Sequence, residues 1–62
     1  MISTKMSDER PSVQTRILRA AHELFLTQGY NGSNLRDIAA RAEVSMGGIY
    51  HHFASKEDIY ET

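Results

Sequence analysis

Within the run SNLRDIAARAEVSMGGIYHHFASK, residues 33–56, Ala39, Val44 and Ile49 stand five residues apart. That spacing suits two short helices joined by a tight turn. A small residue lets the helices close, an apolar residue plugs the turn, and a second apolar residue seats the following helix. Counting from Met46, Ile49 and Phe53 share one helical face at i and i+4. Gly47, Gly48 and His51 share the opposite face, with Met46 and Tyr50 on the flank. The first face reads as core. The second is unusually bare, because each glycine inside a helix costs about 1 kcal/mol relative to alanine. A surface without side chains is tolerated where another backbone must come close, and a nucleic-acid groove with its phosphate walls is one such partner. The alternative is that Gly47 and Gly48 merely loosen the start of the helix, since turns are the commonest home of glycine.

A chain of 62 residues is one domain near the lower limit for a core without disulfides or metals. It has no cysteine, so a disulfide framework and a cysteine-based zinc site are both excluded. No stretch approaches the length of a membrane span and the amino end lacks the apolar run of a signal peptide, which predicts a soluble, cytoplasmic protein. The formal net charge is -1, against the strong positive excess that non-specific nucleic-acid coating requires. Glu57, Asp58 and Glu61 gather at the carboxyl end, whereas Arg36, Arg41 and Lys56 lie in or beside the two-helix unit with Asp37 and Glu43. Binding to DNA would therefore lean on positioned amides, hydroxyls and a few arginines.

Residues 1–11 read as a flexible arm, polar and without periodicity, whose Lys5 and Arg10 could reach a phosphate but are more simply solvated. Residues 12–62 form the domain. After Pro11, Ser12 can cap a helix on which Val13, Ile17, Ala20, Ala21, Leu24 and Phe25 make one apolar stripe. Arg16, Arg19 and Glu23 fall on or beside its wet face, and His22 is an ordinary boundary residue. Gly29 ends the helix in the left-handed conformation, with Tyr30 folding back on Phe25. Asn31, Gly32 and Ser33 are turn formers and Asn34 is the cap of the second helix, with Asp37 near its positive end. Leu35, Ile38, Ala39 and Ala42 form the inner face of that helix. Glu43 and Val44 make the turn, Ser45 caps the third helix, and Ala54 and Ser55 break it. Ser55, followed by Lys56, Glu57 and Asp58, reads as the start of a fourth helix whose inward face is Ile59 and Tyr60. The fold class is all-α: a three-helix helix-turn-helix domain, homeodomain-like, with the start of a fourth helix.

These residues resemble the amino-terminal DNA-binding region of the TetR family of bacterial transcriptional regulators. The matching features are A-x-x-L-F before Gly29 and Tyr30, I-A-x-x-A from Ile38 to Ala42, Val44 with Ser45, and G-x-x-Y-x-H-F-x-S-K-E from Gly47 to Glu57. The resemblance covers nearly everything after the arm. It implies the operator-binding head of a ligand-responsive repressor, whose larger carboxyl-terminal domain, absent from this sequence, would bind a small-molecule effector and form a homodimer on a two-fold double-stranded DNA operator. It further implies that Asn34 and Arg36 touch phosphate and at times a base, and that Ser45, Met46, Gly47 and Gly48 begin the recognition helix in the major groove. Tyr50 would donate its hydroxyl to a phosphate, His51 would take the variable groove-facing position, His52 is the histidine of the Y-x-H-F motif, and Lys56 would pin the backbone beyond it. Two positions depart from the pattern. Glu43 stands where glycine is common, at a cost of about 1 kcal/mol if the turn needs positive φ, and Asn34 stands where serine or threonine is usual, an equivalent cap.

Neither a cofactor nor a metal is expected. His51 and His52 are adjacent on a helix and so point about 100° apart, away from any common ion. No carboxylate pair, base-activated nucleophile or phosphate-cradling loop can be assembled around a pocket, so the chain is not expected to be an enzyme. A helical protein-interaction module that receives a partner helix on Met46 and the glycine face is the alternative function. Salt separates the two readings, because counterion release weakens DNA binding steeply as salt rises and an apolar interface lacks that dependence.

Overall fold

The computed structural model describes residues 11–62, so the expectations for Lys5 and Arg10 lie outside the described residues. Four helices follow in order: α1 (Val13–Gln28), α2 (Leu35–Ala42), α3 (Met46–His52) and α4 (Lys56–Tyr60). Each begins where a short polar side chain replaces a missing backbone partner. Ser12, Asn34, Ser45 and Ser55 accept from the amides of Thr15, Asp37, Gly48 and Asp58 at 2.8 to 3.1 Å. These contacts set where the helices start, while burial sets how they lie. Ile17, Ile38 and Ile49, one from each of the first three helices, are fully buried. Ala20, Ala21, Ala39 and Ala42 between them let the backbones approach, and Phe53 and Ile59 close the core from the carboxyl-terminal side. No described helix is long and apolar enough to cross a membrane.

The turn between α2 and α3 is a Schellman ending. The amide of Glu43 donates to Ala40 at 3.2 Å and that of Val44 to Ala39 at 3.0 Å. Such an ending requires one left-handed residue, and Glu43 takes it with φ 63 and ψ 44. Among the described residues it is the one non-glycine residue with positive φ. Its Cβ therefore sits in a conformation that disfavours every L side chain.

The connection from α1 to α2 is equally tight. Gly29 has the expected positive φ of 80, but its ψ of 160 corrects the expected left-handed conformation to the extended mirror region, which is essentially glycine's alone. Its amide still closes α1 on the carbonyl of Phe25, and Tyr30 folds back on Phe25 with ring centroids 5.3 Å apart. A Cβ at Gly32 would overlap the carbonyl oxygen of Gln28. Glycine is required there by close approach.

Three further expectations are corrected by tertiary packing. Arg16, placed beside the wet face, is half-buried and donates to the carbonyls of Ala42 at 2.7 Å and Glu43 at 3.2 Å. Tyr60, assigned to the inward face of α4, is 63% exposed. It instead completes an aromatic trio with Phe25 and Tyr30, at 5.7 and 5.0 Å. The third helix stops at His52, leaving Phe53 extended with φ -139 but still buried, so the anchor survives outside the helix. Arg41 is the solvated charge expected, paired at 2.6 Å with Glu23, both side chains more than half exposed. Such a pair contributes little.

Partial desolvation, with the carboxylate of Glu57 close by, raises the pKa of the Tyr30 phenol above its ordinary value. Hydrogen bonding from its own backbone amide, followed by the hydroxyls of Tyr30 and Ser55, holds the Glu57 carboxyl below its usual range. The contribution of Glu57 is therefore present above its ordinary pKa and is lost as pH falls through the lowered one. That of Tyr30 is present below its ordinary pKa and is lost as pH rises through the raised one.

Two substitutions should move stability in opposite directions, as read by thermal or urea unfolding. Glu43→Gly removes the left-handed side chain and is expected to stabilise the fold by about 1 kcal/mol. Gly32→Ala must displace the end of α1 and is expected to destabilise by about 1–3 kcal/mol.

Candidate nucleic-acid interface

The surface that carries the candidate residues is made by α3 and the start of α2. Serine at position 45 holds α3 in place, its hydroxyl accepting from the Gly48 amide at 3.0 Å. Ile49 and Phe53 anchor the helix from below, buried at 0% and 4% exposure, and Met46 is half-buried against the same core. On the opposite side Gly47 and His51 are exposed, with Gly48 half-exposed. Tyr50 stands on one flank, 56% exposed, and His52 is exposed on the other. The five-residue spacing of Ala39, Val44 and Ile49 thus becomes helix contact, turn plug and helix seat, with Ala39 and Ile49 buried and Val44 packed against the core.

Nothing among the described residues requires glycine at positions 47 and 48. Neither has positive φ among the described residues. A Cβ at Gly47 would meet only the Ser45 hydroxyl oxygen at 3.7 Å, and one at Gly48 would meet that oxygen at 3.4 Å and the Val44 Cβ at 3.6 Å, both ordinary contacts. Among the described residues the bare face has no internal cause.

At the start of α2 the Asn34 carbonyl oxygen is engaged with the Asp37 amide at 2.8 Å, and the side-chain nitrogen makes no hydrogen bond among the described residues. Arg36 is exposed and has no salt bridge among them. The structure therefore brings Asn34, Arg36, Ser45, Gly47, Gly48, Tyr50, His51 and His52 to accessible positions on α2 and α3, with Met46 shared between surface and core. Lys56 differs. It opens α4, but its ammonium is directed to the carbonyls of Tyr30 and Ser33 and lies over the Tyr30 ring. Arg16 is the residue that sequence reasoning missed, since it orders the turn feeding α3 through contacts 26 and 27 positions away.

The rings of His51 and His52 meet edge to face at 5.0 Å. No group of three histidine, cysteine, aspartate or glutamate side chains among the described residues could hold a metal. A concavity of about 750 Å³ lies elsewhere, an apolar groove between α1 and α4 beside Phe25, Leu26 and Tyr60.

A short capped helix, seated by isoleucine and phenylalanine behind a left-handed turn, defines the helix-turn-helix class. The model of the tetR family of bacterial regulatory proteins matches residues 17–62, and the chain belongs to that family. The chain is 38% identical over 56 residues to the HTH-type transcriptional regulator UidR of Escherichia coli, covering 90% of this chain and 29% of that protein. It is 40% identical over 55 residues to the HTH-type transcriptional repressor Rv3405c of Mycobacterium tuberculosis, covering 89% and 29%. Against the HTH-type transcriptional repressor DhaR of a Mycobacterium species it is 44% identical over 48 residues, covering 77% and 24%. The chain thus spans under a third of the length of these relatives. No solved structure matches.

If the glycine face is kept bare for a partner, stability and binding should separate. Gly47→Ala is expected to stabilise the fold by up to about 1 kcal/mol in urea unfolding while weakening binding to duplex DNA in an anisotropy titration. Unchanged binding would leave the glycines without a role at the interface.

Proposed function

We propose that this chain is the sequence-specific DNA-binding head of a transcriptional repressor. Helix α3 enters the major groove with Gly47, Gly48 and His51 forward, and the start of α2 holds the flanking backbone through Asn34 and Arg36. The observation that carries this reading is the exposed glycine surface of α3, opposite a fully buried Ile49 and with no reason among the described residues to lack side chains. A capped helix with a flat forward side can sit deep in a groove about 12 Å wide. Ser45 and Tyr50 offer hydroxyls to the groove walls, and His52 flanks them. Arg36 has the planar fork that fits guanine, and His51 and Met46 supply the remaining base contacts.

The rest of the reading concerns a longer protein. It is a homodimer that presents two heads to a two-fold operator, responds to a small-molecule effector bound outside this domain, and acts in the cytoplasm without enzymatic activity. The names of the relatives, regulator and repressor, support regulation of transcription.

Selection of bound sites from random duplex DNA tests the proposal. A recurring half-site is expected, with affinity falling steeply as salt rises. Arg36→Ala should relax preference at one base pair by about 1–3 kcal/mol, whereas Tyr50→Phe should weaken all sequences alike. A selection that enriches no sequence, or binding indifferent to salt, would favour a protein-interaction module and overturn the assignment.

A further inference from the structure

The ammonium of Lys56 is held by three contacts that have nothing to do with a surface. It donates to the carbonyl of Tyr30 at 2.7 Å and to that of Ser33 at 2.8 Å, and it lies 4.2 Å from the centre of the Tyr30 ring. The site is partly buried, as are both hydrogen bonds. Ser33 is itself 2% exposed and fixed by its hydroxyl, which donates to the Gly29 carbonyl at 2.9 Å. The next residue is Asn34, whose side chain caps α2 and so sets the direction in which that helix begins. A cation from α4 thereby determines where the chain enters α2, two residues before Arg36.

Two of the three ammonium donors are engaged by carbonyls, and the ring shields one side of the group. A phosphate could reach no more than the third donor unless it displaced those partners. Removing the cation would leave the Tyr30 and Ser33 carbonyls without it and free the cap.

We propose that Lys56 is a positioning residue for DNA binding: it orients Asn34 and Arg36 by clamping the loop before α2, and does not itself bind phosphate. This rests on the DNA-binding reading above. It has two consequences that direct phosphate contact lacks. The ammonium keeps its partners when DNA arrives, and its loss disturbs the start of α2 in the protein without DNA.

The test uses the chain, the duplex recovered by selection, and nuclear magnetic resonance of the lysine side-chain nitrogen and backbone amides. In the unaltered chain the Lys56 ammonium signal is expected to exchange slowly and to stay in place when the duplex is added. Lys56→Met is expected to lower affinity for that duplex by about tenfold and to shift the amide signals of Asn34, Leu35 and Arg36 in the free protein. The proposal is overturned if the ammonium signal moves on binding DNA. It is also overturned if Lys56→Met leaves those amides unmoved while the log affinity against log salt slope becomes shallower by about 0.9, the signature of one lost phosphate contact. Should that variant not fold, the ammonium signal of the unaltered chain decides. A chain that prefers no duplex removes the DNA-binding reading and this inference together, whereas preference with a moving ammonium removes the inference alone.

Discussion

Helix α2 is held at both ends by cations that belong to other helices, and the geometry of the candidate interface follows from that. Eight residues are too few for a helix to persist alone in water. Arg16 of α1 reaches the carbonyls of Ala42 and Glu43, where α2 has its unsatisfied acceptors and its negative end. Lys56 of α4 reaches the carbonyls of Tyr30 and Ser33, just ahead of the cap at Asn34. Because the Schellman turn leads directly from α2 into α3, fixing the first helix also fixes the second. The candidate surface is therefore placed by contacts from α1 and α4, which lie outside the two helices that carry it.

The core below is small and works by close approach. Three isoleucines meet from three helices, and the residues around them on α1 and α2 are largely alanines. Alanine contributes little apolar area but lets the helix axes come near, so that Ile17, Ile38 and Ile49 are all fully buried. A left-handed glutamate and two glycines in one short helix work against stability in the same 62 residues. Local rules are broken where a chain must present a particular surface, and here the broken rules lie in the turn and on the outward face of α3.

Local chemistry was legible in the sequence and tertiary chemistry was not. Ser12, Asn34, Ser45 and Ser55 could be assigned as caps because a cap bonds an amide two or three residues on, within reach of pattern reading. The contact of Phe25 with Tyr30 follows from the same short range, whereas the positive φ of Glu43 was only a condition raised by the resemblance. Arg16 and Lys56 escaped because each bonds carbonyls 23 or more positions away. Helical periodicity can place a long cationic side chain at the edge of a wet face, but it cannot say which carbonyl its end will meet. Tyr60 escaped for a related reason. An amphipathic pattern divides residues into inside and outside, whereas an aromatic ring lying over two others at a helix boundary is neither.

The same surface argues for two heads acting together. In the proposed complex Gly47 and Gly48 would bring the helix backbone close to a groove but offer no side chain to read a base, and Met46 is partly engaged with the core. On the proposed reading Arg36 and His51 are then the main readers, and at about 1–3 kcal/mol for each good base contact one head would discriminate by about 2–6 kcal/mol. Specific operators are distinguished from other DNA by about 4–10 kcal/mol. One head reaches the lower part of that range, and a symmetric pair covers it without any further contact to bases. With a formal net charge of -1 the chain has little general attraction for phosphate to make up a shortfall. On the proposed reading, doubling the site is thus the route to tight, selective binding, and it would require both copies to present α2 and α3 in the same way, the geometry that the two cation clamps hold within one chain.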